Sequence, residues 1–133
     1  MEFPPTRRCP LVRTATDSGE GPWNELLGII ATVTLDVVVE DLFGDWPVDR
    51  VVASALDDGI GEIHPLLFVV DERTLTDHEF PLVVADLRDE PGRTARIAAA
   101  HLRSVRDSAS DIGFAAYADH AQLQPDRVFR GFG

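Results

Sequence analysis

Lysine is missing from this sequence altogether: its 12 basic residues are all arginine. That excludes a Walker-type lysine on a nucleotide phosphate, a Schiff-base lysine and a receiver-domain lysine. Cysteine occurs once, as Cys9. An internal disulfide is therefore impossible, and a reducing compartment is the natural setting. Positive charge is scarce, with 12 arginines against 23 acidic residues and a net charge of −11. Nucleic acids and anionic membranes are bound by clustered cations, so neither is expected as a partner. No apolar run approaches the ~20 residues of a membrane helix. Arg7 and Arg8 are not followed by the apolar stretch of a secretory signal, which points to a cytoplasmic protein. Missing lysine with abundant Asp, Arg and Ala fits a GC-rich genome; an acidic halophile surface is the rival explanation.

What is present is enough apolar material for a core. The chain has 133 residues, 44% of them apolar, and reads as one domain over 1–133 without metal or disulfide support. Residues 1–10, with Pro4, Pro5 and Pro10, read as an extended arm. Strands are expected at 11–14, 35–40, 66–71, 82–87 and 94–98. The run LLFVVD at 66–71 has the continuous apolar character of a strand buried on both faces. Trp23, Leu26, Leu27, Ile30 and Val33 recur with helical spacing. A second helix follows Pro47, with Val48, Val51, Val52, Ala55 and Leu56 on one side and Asp57-Asp58-Gly59 as its stop. Asp89-Glu90-Pro91-Gly92 reads as a type II turn, Pro fixing φ and Gly supplying the positive φ. Residues 99–107 are helical, and Asp111 is placed to cap a last helix that buries Phe114, Tyr117 and Ala118. Val128, Phe129 and Phe132 suggest a tail that packs back.

Strands alternating with helices predict an α/β fold: a single three-layer domain whose five-stranded sheet is mixed, mostly parallel, and ends in an antiparallel hairpin. A thioredoxin-like fold is the runner-up, although Cys9 stands alone and precedes the first strand.

The chemistry-bearing residues are few. His64, His78, His101 and His120 lack the spacing of a helical zinc pair and read as surface or loop histidines, so no metal site is expected. No serine has a nucleophile-elbow context, and Gly59-x-Gly61 is not followed by a helix. No cofactor motif is present. Asp71, Glu72 and Asp86 fall at strand ends, where open α/β sheets hold ligands; if the third and fourth strands run parallel, the three would converge. The loop Phe43-Gly44-Asp45-Trp46 sets two exposed-looking aromatics beside Asp41 and Asp45. That cluster reads either as a contact surface for a protein partner or, for Trp46, as a staple on the following helix.

The segment LLFVVDERTLTDHEFPLVVADLRDEPGRTARI, the ending VFRGF, and LVRT-x-x-D before a tryptophan-containing helix resemble an uncharacterised family of small acidic proteins from high-GC bacteria, a domain of unknown function. The likeness covers about two thirds of the chain. It departs at 41–47 and again at 104–114, where the family's Asn-rich run is missing. The resemblance supports the fold and implies no activity.

Two functional classes follow. One is a non-catalytic, protein-binding module of immunity, regulatory or accessory type, its acidity steering it toward a basic partner. The other is a small enzyme or ligand-binding domain built on Asp71, Glu72 and Asp86.

Overall fold

The structure is a computed structural model. It describes residues 9–15, 20–31, 33, 35–38 and 43–131, with the backbone alone described at 35–38 and 108–112. Strands are β1 (Cys9–Arg13), β2 (Leu35–Val38), β3 (Leu66–Val70), β4 (Pro81–Asp86), β5 (Thr94–Ala98) and β6 (Val128–Phe129). Helices are α1 (Glu20–Ile29), α2 (Val48–Asp57), α3 (Glu72–Thr76), α4 (Leu102–Ile112) and α5 (Phe114–Gln122). No helix among the described residues is long and apolar enough to cross a membrane.

Among the described residues the strands form one mixed sheet in the order β2-β1-β3-β4-β5-β6. The five expected strands are all present, and the tail adds the sixth by pairing Val128 and Phe129 with Arg96 and Ile97. β1 lies parallel to β2 and β3. β4 is antiparallel to both β3 and β5, so the antiparallel part begins one strand earlier than a terminal hairpin alone. The cause is the link between β3 and β4: it holds one five-residue helix, too little chain for the crossover a parallel pair needs.

β3 is buried throughout, and its alternating side chains feed two cores. Leu66, Phe68 and Val70 face the larger one, with Trp23 and Leu26 of α1, Leu102 and Val105 of α4, and Phe114, Tyr117 and Ala118 of α5. Leu67 and Val69 face the smaller one, with Val51, Val52 and Ala55 of α2 and with Phe43. These are the three layers. Of the expected helix-face residues, Leu27, Val48 and Leu56 are only partly buried.

Two local expectations need correction. Cys9 does not precede the first strand but opens it. Asp111 does not cap the last helix: α4 runs on to Ile112, and Gly113 at φ 81° makes the break before α5, a left-handed conformation suited to glycine. His64 lies in the loop before β3, as expected of it, and is buried there. The turn chemistry at 89–92 is as expected, with Gly92 at φ 94° and the Arg93 N–H donating to the Glu90 carbonyl at 3.0 Å.

Candidate functional site

The strand-end carboxylates do not share a site. Asp86 pairs in register with Leu66, the first residue of β3, whereas Asp71 follows its last. Five residues at ~3.4 Å each set the two about 17 Å apart. The convergence expected from parallel strands is therefore overturned by the antiparallel pairing.

Each of the two aspartates has local work instead. Asp86 is buried. Its carboxylate accepts the backbone N–H groups of Arg88, Asp89 and Glu90 at 2.9, 3.0 and 3.0 Å, organising the loop between β4 and β5. Asp71 is the N-cap of α3 and accepts the Thr74 N–H at 3.1 Å, while its own N–H donates to the Thr74 hydroxyl. Arg96 of β5 closes on the same carboxylate, at 3.0 Å to Oδ1 and 2.5 Å to Oδ2. Glu72 opens α3, half-buried.

Burial by itself would raise the Asp71 pKa. The hydrogen bond and charge of Arg96, with the bonds from Thr74, more than offset it and hold the carboxyl below its ordinary value of 3.8. A depressed folded-state pKa contributes stability that is present above the unfolded value and is lost as pH falls through the folded one. Asp71→Asn retains an oxygen for the cap but loses the ion pair. It should cost about 1–2 kcal/mol near neutral pH, and that deficit should shrink as pH drops below 3.8. Urea midpoints of both proteins at neutral and acid pH check this; a deficit independent of pH would place the role of Asp71 outside its charge.

A further carboxylate network escaped sequence reading. Arg130 grips Glu79 at 2.7 and 2.8 Å and Asp126 at 2.6 and 3.1 Å, tying the tail to the turn before β4. The Arg130 hydrogen bonds lower Glu79 and take Asp126 down to about 2. Asp77, His78 and Glu79 also bring ligand-type atoms within 4.8 Å of one another. They are consecutive on a turn: Glu79 is held by Arg130, and Asp77 accepts the Glu79 N–H at 2.9 Å. Cys9 is partly buried, and burial pushes its thiol up, the opposite of what a nucleophilic cysteine needs.

The aromatic loop divides. Phe43 is not exposed but sits in the smaller core. Trp46 is half-buried, edge-on to Phe43 with ring centroids 5.0 Å apart. The Arg50 guanidinium lies 4.0 Å over the Trp46 ring, a cation–π arrangement. Asp45 is exposed, at φ 62°, and its N–H donates to the Thr14 carbonyl at 2.9 Å. Asp41 lies outside the described residues. Trp46 therefore packs on the α2 start as a staple would and still offers part of its ring to solvent. From it an open groove of about 360 Å³ runs along α2 past Ala53 and Ser54 to Asp57 and Asp58. These two aspartates sit at the C-terminal end of α2, whose last turn holds no basic residue. That is the negative pole of the helix dipole, where carboxylates are destabilising.

A family model described as "Domain of unknown function (DUF6924)" matches residues 8–132. No curated protein matches the chain.

Proposed function

We propose that this chain, which belongs to the DUF6924 family of domains of unknown function, is a non-catalytic protein-binding module of immunity, regulatory or accessory type, and that it receives a basic segment of its partner along the α2 groove. The observation that carries this reading is the juxtaposition of Asp57 and Asp58 with the half-buried Trp46 and with Arg50 along one groove on α2. An arginine or lysine from a partner would meet these carboxylates with the opposite charge. The net charge of −11 would speed its approach, and Trp46 would supply the apolar anchor. Arg50 over the Trp46 ring is an intramolecular instance of the cation–π contact a partner arginine would make.

The two kinds of residue have separable signatures. Asp57→Asn/Asp58→Asn should leave the protein folded and yet slow association and flatten its salt dependence. Trp46→Ala should speed dissociation and cost roughly 2 kcal/mol of binding. The first probe is an arginine-rich peptide titrated into the labelled protein. Resonance changes confined to Trp46, Ala53 and Asp57 support the groove; changes spread evenly over the acidic surface, or none, overturn it. Kinetics with a partner captured from the source cells, at two salt concentrations, then complete the test.

A further inference from the structure

With nearly two carboxylates per arginine in the chain, every guanidinium has acidic groups available to it. Six of the ten in the described residues are so paired: Arg13 with Glu20, Arg93 with Glu90 and Asp119, Arg96 with Asp71, Arg103 and Arg106 with Asp107, and Arg130 with Glu79 and Asp126. Arg50, Arg73, Arg88 and Arg127 are not; of these, Arg73 and Arg127 line one cavity, of about 410 Å³, with Arg96 as a third. Among the described residues no carboxylate lines it.

The cavity exists because β6 is too short. It covers only Arg96 and Ile97 of β5, so among the described residues no strand pairs with the outer edge of Thr94 and Ala95. The space beyond that edge is walled by the start of α2 on one side and by α5 on the other. The three arginines come from separate elements. Arg73 projects from α3 and donates to the Asp126 carbonyl at 3.0 Å. Arg96 is fixed by Asp71 and by the Pro81 carbonyl at 3.0 Å. Arg127 sits just before β6 at φ 60°, a costly conformation for a residue with a side chain. Its guanidinium has no partner among the described residues. Its chain neighbour Asp126 is held by Arg130, as is Glu79.

We propose that this cavity is a binding site for a small phosphate monoester. Two exposed guanidiniums without a carboxylate partner among the described residues, converging on one cavity, suit a dianion. A phosphoryl group offers that charge with three strong acceptor oxygens, against two on a carboxylate. The volume is that of a small-molecule pocket, and Val83 and Ala118 give an apolar wall for the body of the ester. This site is independent of the α2 groove, and either can stand without the other.

The test uses phenyl phosphate as probe, titrated into the full-length labelled protein at constant ionic strength, with phenol and inorganic phosphate as separate arms. Phenyl phosphate should saturably shift the amides of Thr94, Arg96 and Arg127 and bind at least about tenfold more tightly than either fragment. Arg73→Gln and Arg127→Gln should each weaken it about tenfold or more, since a charge-assisted pair is lost. Both should melt like wild type, because neither side chain is in the core. Arg50→Gln, which removes an arginine that also lacks a carboxylate partner but lies on Trp46, should bind as wild type does. Equal binding of phenyl phosphate and inorganic phosphate would mean a bare phosphate site and overturn the monoester. Loss in Arg50→Gln to the same degree, or no saturable shift at about 10 mM probe, would overturn the site itself.

Discussion

Val69→Asp should leave no cooperatively folded protein, and Leu67→Ala should lose about 2–5 kcal/mol, or roughly 10–20 °C of melting temperature in a domain of this size. Both side chains are completely buried. They point from the central strand β3 into the smaller core, where α2 and Phe43 are the main cover. A carboxylate at Val69 would stand among Val52, Val83 and Ala85 with no cation within that cluster, and burying an unpaired charge costs far more than the marginal stability of a domain. Leu67→Ala leaves a cavity that neighbours on a rigid sheet cannot close. Thermal and urea unfolding check both. A midpoint that either substitution leaves unchanged would mean that β3 is not central.

The features legible in the sequence were those written in local pattern. LLFVVD reads as a doubly buried strand because nothing polar interrupts it, and the α2 face reads from Val51, Val52 and Ala55 at helical spacing. Pro91-Gly92 fixes its turn through the φ values those two residues alone favour. What was not legible depends on register and on distance along the chain. The orientation of β4 is set by how little chain separates it from β3, not by its own residues. Arg96 meets Asp71 across 25 positions only because the β4–β5 pairing brings them to one edge. Phe43 looks exposed in the sequence because it lies in a loop. The smaller core has one helix to cover it and draws that loop in. At Asp111 a good capping residue was outweighed by Gly113, two positions on, whose left-handed backbone ends the helix more decisively. The arginine cavity has no sequence signature, since its three cations come from α3, β5 and the tail.

Asp86→Ala should be the most damaging single change at any of the singled-out carboxylates, costing about 3 kcal/mol. Three backbone N–H groups converge on its side chain. Hydrogen bonds to a charged acceptor are worth more than neutral ones, while partial rehydration of the exposed loop 88–90 keeps the loss below their full sum. The same loop is closed on itself by the Gly92 N–H donating to the Asp86 carbonyl at 2.8 Å, and Asp86 donates in turn to the Arg93 carbonyl at 2.8 Å. Residue 86 therefore holds the β4–β5 connection from both its side chain and its backbone, and β5 carries Arg96 to Asp71. Asp86→Asn keeps one oxygen as acceptor and should lose about half as much. The order wild type, Asn, Ala in urea midpoint is the expected result. It also separates the two meanings a strand-end aspartate can have. A carboxylate kept for catalysis or for a ligand is commonly a burden on the fold, and replacing it leaves stability unchanged or raises it. A carboxylate kept to satisfy buried donors can only lose stability on replacement. If Asp86→Ala proved as stable as wild type, the loop would not rest on those three bonds, and Asp86 would return as a candidate for chemistry at the end of β4.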